Sequence, residues 1–176
     1  CSLTGPCGSG GAMCKAGYEI AIEHINAQGG VFVKEFNKKI PLELVLLDDE
    51  SNFTLTVSRM ESLFTSHDVV AYLGGFSSPM HAAQAPIAEK NKVPILMVDT
   101  YLYSVHQKGY KYNFSPFPKS PDCAKAVFDI LDSIPAAQKP KKVAIFMEKA
   151  PVGVELGDMW KDESVKHGYG EALFKD

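Results

Sequence analysis

Three cysteines and five glycines crowd the first seventeen residues, CSLTGPCGSGGAMCKAG, and each way of reading them is a different chemistry. A structural zinc site wants two ligands two to four residues apart and then a second such pair. Cys1, Cys7, Cys14 and Cys123 are too widely spaced for that, and no histidine stands beside them, so no metal site is expected. The cysteines read as free or partly buried thiols, with a Cys7–Cys14 disulfide as the alternative. GPCGSGG looks like a phosphate loop, but no Lys-Ser/Thr follows its glycines to hold phosphate and magnesium. No cofactor is expected from it.

Three further clusters carry polar chemistry. Asp48, Asp49 and Glu50 are consecutive carboxylates, yet successive strand residues point to opposite faces, so they need not converge on a cation. They read as a solvated strand end. GGFSSP at residues 74–79 lacks the Gly-x-Ser-x-Gly turn that exposes a nucleophilic serine, so an enzyme is not the expected reading. Ser77 and Ser78 instead stand between an apolar run and Pro79, where a helix is expected to start. Unpaired N–H groups and the helix dipole at such a point favour an anion. A serine there also suits a plain helix cap.

The elements that must position these residues are legible from their periods. Cys14, Tyr18, Ala21 and Ile25 form one stripe of a helix over Ala12–Asn26, with Lys15, Glu19 and Glu23 on another. It ends at Gly29-Gly30. Pro41–Glu50 reads as a mostly buried strand, and Phe53, Val57, Met60 and Phe64 as the stripe of the next helix. Strand 69–75 and a helix over SSPMHAAQAPIAEKN follow, with Pro79 suited to the first turn and Pro86 expected to bend or interrupt it. Val93–Val98 is the next strand. Tyr110–Asp122, broken by three prolines, reads as a crossing segment or hinge. A helix over Pro121–Ser133 is expected to bury Ala126, Val127 and Ile130 and to expose Lys125. Strand Val143–Met147, a helix over Val154–His167 and the start of a strand at EALFK complete the chain. Alternating strands and helices with continuous apolar strands predict an α/β fold with a parallel sheet covered on both faces. Ligands of such sheets sit at the carboxyl ends of strands, here Asp48–Asp49, Gly74–Ser78 and Asp99–Tyr103.

With 45% hydrophobic and 22% charged residues, the chain can build a core. Its formal charge is -3 with scattered lysines, which carries no nucleic-acid footprint. No apolar run reaches membrane-spanning length and no signal peptide is visible.

Taken together, SLTGP at 2–6, AGYEIAIEHINAQGG at 16–30, LELVLLDDES at 42–51, YLGGFSSP at 72–79, KVPILMVDT at 92–100 and KKVAIFMEKAPVG at 141–153 resemble the type I periplasmic solute-binding proteins. The resemblance is to the branched-chain amino acid (Leu/Ile/Val) class that serves ABC importers, and it covers almost the whole chain. It implies two doubly wound lobes that take a small ligand, residues 1–118 forming most of the first and 119–176 beginning the second. It also implies an incomplete chain, since the family has a strand before Ser2–Pro6 and continues well beyond Asp176. Function by resemblance is extracytoplasmic capture of a small carboxylate-bearing solute, an amino acid or an aromatic acid. Delivery would be to the permease subunits of an ABC transporter at the periplasmic or outer face of the cytoplasmic membrane. A ligand-sensing regulatory or receptor domain on the same fold is the alternative.

Carried across residue by residue, the ligand carboxylate would be held around Ser77 and Ser78, with further contacts near Leu102 and Tyr103. Gly10 and Val152 match positions at which amino-acid binders of the family place aromatic rings. Ser51 and Ser77 stand where some relatives have a disulfide, and the acidic residue for the ligand's amino group would lie beyond Asp176. Phe76, Tyr101 and Tyr103 are the aromatic residues available to replace the missing rings.

Overall fold

A computed structural model describes residues 1–170 and 173–174. The elements are helix α1 (Gly8–Ala27), strands β1 (Val31–Val33) and β2 (Lys38–Ile40) around a 3-10 turn at Lys34–Phe36, helix α2 (Phe53–Ser66), strand β3 (Tyr72–Leu73), helix α3 (Ser78–Asn91), strand β4 (Ile95–Leu96), the short helix α4 (Tyr103–His106), strand β5 (Asn113–Phe114), helix α5 (Ser120–Ser133), strand β6 (Ala144–Ile145), helix α6 (Pro151–Lys166) and strand β7 (Leu173–Phe174). The chain forms two compact units. The first comprises Cys1–Asp99 and Lys111–Ser115, the second Thr100–Tyr110 and the chain from Pro116 onward.

The first unit is built on a parallel sheet in the order β3-β4-β5. Tyr72 pairs with Ile95 and Leu73 with Leu96, while Ile95 and Leu96 pair with Asn113 and Phe114. Helices α2 and α3 pack against each other through Thr56, whose hydroxyl donates to the Met80 sulfur at 3.4 Å. Met60, Tyr72, Met80, Ala85, Ala88, Ile95 and Met97 are buried. α2 starts where Asn52 accepts from the Leu55 N–H at 3.0 Å, the side-chain cap expected of an Asn at that position.

Several expectations change. Residues 41–50 carry no strand pairing among the described residues, and their side chains are mostly half-exposed. A strand exists only through its ladder, and here the ladder is reduced to Cys1, whose N donates to Leu47 O and whose O accepts from Asp49 N, at 3.2 and 3.3 Å. β5 lies within the segment read as a hinge. Two residues flanked by prolines give no strand period, but β4 supplies their partners, Tyr112 O and Phe114 O accepting from Ile95 N and Met97 N at 2.8 Å. α3 runs through Pro86 without interruption, because Pro86 faces solvent while Gln84, Ala85 and Ala88 are buried.

In the second unit, α5 buries Ser120, Ala124 and Phe128, one residue per turn, and packs on α6. Val127 and Ile130, expected inside, are exposed, Ile130 at 65%, and Ala126 is exposed too. The buried stripe follows Phe128, whose ring meets those of His167 and Tyr169 at 5.4 and 5.9 Å. α6 starts three residues earlier than expected, with Pro151 in its first turn. β6 and β7 pair in parallel. Glu171, Ala172 and Lys175 of the expected final strand lie outside the described residues. All four cysteines are free and half-buried.

The carboxylates of 48–50 overturn the solvated-end reading. Asp49 is 2% exposed and accepts from the Ser2 hydroxyl at 2.6 Å and the Ser51 N–H at 3.1 Å. Asp48 accepts from the N–H groups of Leu3, Thr4 and Glu50 at 2.8, 3.3 and 2.9 Å and from the Thr4 hydroxyl at 2.8 Å. These donors, the Glu50 N–H foremost, bring the Asp48 carboxyl down from 3.8 to about 2. A carboxyl with a depressed pKa stabilises the fold fully above its ordinary value and loses that contribution as pH falls through the folded one. Asp48→Asn is therefore expected to lower the melting temperature at neutral pH by a few degrees and to flatten the acid dependence of stability between about pH 4 and about pH 2. Thermal melts across that range check this, and an unchanged acid profile contradicts the role given to Asp48.

Candidate functional site

After β3 the chain turns through Gly74, Gly75, Phe76 and Ser77 into α3. Ser77 is the residue before the helix and adopts φ 87°, ψ 126°, a conformation that costs a side-chain-bearing residue of order 1–3 kcal/mol. Its carbonyl accepts from His81 N at 3.2 Å and lies 3.0 Å from His81 Nδ1, so the buried histidine supports the turn from beneath. Its own N–H points to the Asp99 carboxylate at 3.4 Å. The cap position thus belongs to Ser77, which makes no side-chain capping bond, and Ser78 is the first helical residue, buried. The first turn of α3 holds no acidic side chain, so the positive end of its dipole is not answered from within the helix.

α1 delivers its small residues to this turn. A Cβ at Gly10 would overlap the Phe76 ring, one at Gly11 would overlap Ser2 O, and one at Gly75 would stand 3.0 Å from Cys1 Cα. Two turns further along, the Tyr18 hydroxyl donates to Gly74 O, and burial pushes that phenol far above its usual pKa. Cys14, between them on the helix, is raised by burial and then by Asp99. Phe76 thus fills the room a side chain at position 10 would take, and the residue stays 38% exposed. Ser51 ties the same region from below, accepting from Cys7 N at 3.0 Å and donating to Thr4 O at 2.7 Å.

Leu102, Tyr103 and Val152 belong to the second unit. Leu102 is buried. The Tyr103 and Ser104 N–H groups donate to Glu155 at 2.7 and 3.1 Å, and the Ser120 hydroxyl donates to it at 2.5 Å. Burial pushes the Glu155 carboxyl up, and the bonds from Ser104, Ser120 and Tyr103 outweigh it, leaving it below the usual range. The donors expected for a ligand near Tyr103 are therefore engaged by a carboxylate of the protein itself. No sequence signal marked Glu155, since one acid on an amphipathic helix reads as surface. Val152 lines a cleft of about 310 Å³ with Tyr101, Phe146, Glu148, Leu156 and Trp160, in which the buried Trp160 Nε1 has no partner among the described residues. Among the described residues no group of three or more His, Cys, Asp or Glu side chains could hold a metal ion, and no helix is long and apolar enough to cross a membrane.

Residues 1–169 match the family model described as periplasmic binding protein. The chain belongs to that family. Among curated relatives, Leu/Ile/Val-binding protein homolog 7 of Brucella suis biovar 1 (strain 1330) is 25% identical over 173 residues, 98% of this chain and 39% of the relative. A type 1 periplasmic binding protein from Bordetella pertussis Tohama I superposes with a TM-score of 0.79 at 26% identity, covering 97% of this chain and 45% of that one. A solute binding protein of an ABC transporter from Rhodopseudomonas palustris BisB5, solved in complex with 3,4-dihydroxy benzoic acid, gives 0.77 at 22% identity, covering 98% and 44%. The fold is thus that of the type I periplasmic binding proteins, which bind solutes and are not enzymes, and the chain spans less than half the length of these relatives.

Two outcomes are expected from this geometry. Ser77→Gly relieves the positive φ and raises the unfolding free energy by about 1 kcal/mol, read from the denaturant midpoint; a lower midpoint contradicts a strained turn. Gly10→Ala drives the Phe76 ring from its notch and costs about 1–3 kcal/mol. Most of that loss is expected to disappear when Phe76→Ala is combined with it, and additive losses in the double mutant would separate the two residues.

Proposed function

We propose that this protein captures a small carboxylate-bearing solute outside the cytoplasmic membrane, as the substrate-binding component of an ABC importer whose permease subunits are its partners. The observation that carries the reading is the Ser77–Ser78 turn. It is a strained loop at the carboxyl end of a parallel strand, it leads into a 14-residue helix with no acid in its first turn, and it is flanked by a half-exposed phenyl ring. Donors and dipole there suit a carboxylate, and the Phe76 ring supplies apolar area for the body attached to it.

Asp99 narrows the class. Its carboxylate lies 3.4 Å from the Ser77 N–H, and a fixed negative charge at that distance opposes a bare anion while favouring one that carries an ammonium group beside its carboxylate. A zwitterion such as an amino acid therefore fits this turn better than an aromatic acid does, in keeping with the name of the Brucella suis relative. The Rhodopseudomonas palustris protein, with its dihydroxybenzoate, supports the other choice. In the second unit, taken by itself, the side chains of the exposed Tyr103 and the half-buried Val152 are the groups available to a solute. The Tyr103 amide is held by Glu155, and the buried Leu102 positions Tyr103. Gly10 acts through Phe76.

Calorimetric titration of the protein with leucine and with 3,4-dihydroxybenzoate tests this. Leucine is expected to bind more tightly, Ser78→Ala to weaken it about tenfold or more, and Phe76→Ala to weaken leucine but leave glycine unchanged. Affinity for every carboxylate that survives Ser78→Ala removes this turn from the site. Preference for the benzoate overturns the role of Asp99 alone.

A further inference from the structure

The antiparallel hairpin Val31–Ile40 has no part in the ligand reading and carries exposed apolar and basic side chains side by side. Val31, Phe32 and Phe36 expose 43, 55 and 59% of their surface. Interleaved with them are Lys34, Lys38 and Lys39, all exposed, against the single acid Glu35, so the hairpin is locally basic on a chain of charge -3. Phe32 and Lys39 are register partners across the two strands, the Lys38 ammonium lies 6.0 Å from the Phe36 ring centre, and Lys39 donates to Gln28 O at 2.6 Å, tying the hairpin to the end of α1. The tip is set by the 3-10 turn and by Asn37 in the left-handed conformation.

Scattered apolar residues on a surface need no account, but two phenyl rings among three lysines on one short projection present two chemistries together. Rings of that kind partition into the boundary between headgroups and acyl chains, and ammonium groups beside them meet lipid phosphates. Lysine is depleted at protein–protein interfaces, so three lysines beside the rings favour a lipid surface over a protein partner.

Its place in the unit agrees with such a role. Gly10, near the start of α1, meets Phe76 at the ligand turn, and the hairpin follows the other end of this 20-residue helix, which at its ordinary rise is about 30 Å long. A surface engaged by the hairpin leaves the Ser77–Ser78 turn clear.

We propose that the Val31–Ile40 hairpin is a membrane-surface contact that rests on an anionic phospholipid bilayer, with Phe32 and Phe36 entering the interfacial layer and Lys34 and Lys38 on the lipid phosphates. The proposal stands independently of the ligand and of the importer.

Flotation of the protein with phosphatidylcholine vesicles, and with vesicles in which a quarter of the lipid is phosphatidylglycerol, tests it and separates binding from aggregation. The protein is expected to float with the anionic vesicles, to stay behind with the neutral ones, and to be stripped by high salt. Each lysine removed is expected to cost about fivefold in partitioning, so the pair Lys34→Gln and Lys38→Gln costs about 25-fold. Phe32→Ser with Phe36→Ser costs about tenfold or more. Melting temperatures equal to that of the unmodified protein show that these exposed changes leave the fold intact; if the double phenylalanine variant melts early, Phe36→Ser alone is read instead. No flotation with anionic vesicles, equal flotation with neutral ones, or flotation indifferent to the hairpin variants each overturns the proposal.

Discussion

Two adjacent carboxylates grip the opening turn of the chain, and the geometry of the first unit's candidate site hangs from that grip. Because neighbouring residues of an extended segment point to opposite sides, Asp48 and Asp49 reach different donors of the same turn. Asp48 takes the N–H groups of Leu3 and Thr4 on the wetter side, and Asp49 takes the Ser2 hydroxyl in the interior. Residues 2–4 are thereby fixed, Gly8 N donates to Gly5 O at 3.0 Å, and α1 begins at a set place with a set rotation. That rotation brings Gly10 and Tyr18 onto the loop after β3 and Gly11 against Ser2. A carboxylate pair that coordinated a cation would have to converge; this pair diverges, and divergence is what lets it hold a turn from two sides.

Once α1 is placed, the turn after β3 is shaped by exchange of bulk between facing positions. Interiors are packed densely enough that a ring can enter only where another group has left room. Glycine at 10 leaves the room, phenylalanine at 76 takes it, and the ring is held against the helix with one side outward. The aromatic group stands on the loop, immediately before Ser77 in the chain.

The layout of elements was legible because it rests on local rules. α2 has a four-three-four stripe and an Asn cap, α3 has Pro79 in its first turn, and the apolar runs at 72–73, 95–96 and 144–145 all became paired strands. What failed depended on partners that periodicity does not see. Residues 41–50 have strand composition and almost no ladder. β5 has ladder and no strand composition. On α5 two apolar faces compete, Ala124–Phe128 and Val127–Ile130, and only the contact with α6 and the rings of His167 and Tyr169 decides between them. At Asp48 and Asp49 only the Glu50 and Ser51 N–H donors are local; the Ser2, Leu3 and Thr4 donors that bind the chain's opening lie more than forty positions away, beyond the reach of periodicity.

The same reasoning applies to each unit's candidate residues taken by themselves. Resemblance carries a residue's place across, but whether that place can receive a ligand depends on what else has reached its hydrogen-bonding groups. At Tyr103 and Ser104 the backbone donors already meet Glu155, which also accepts from Ser120, so three segments of the second unit converge on one carboxylate. A ligand anion would have to displace it and leave a partly buried charge unpaired, a larger cost than the bonds it would form. At Ser77 the neighbouring carboxylate sits farther off, at the long limit of a hydrogen bond, and offers a charge instead of closing the turn. Glu155 is an internal clamp built from the same parts as a binding site, and the turn at Ser77, whose N–H reaches its acid through one long bond, is the weaker clamp of the two.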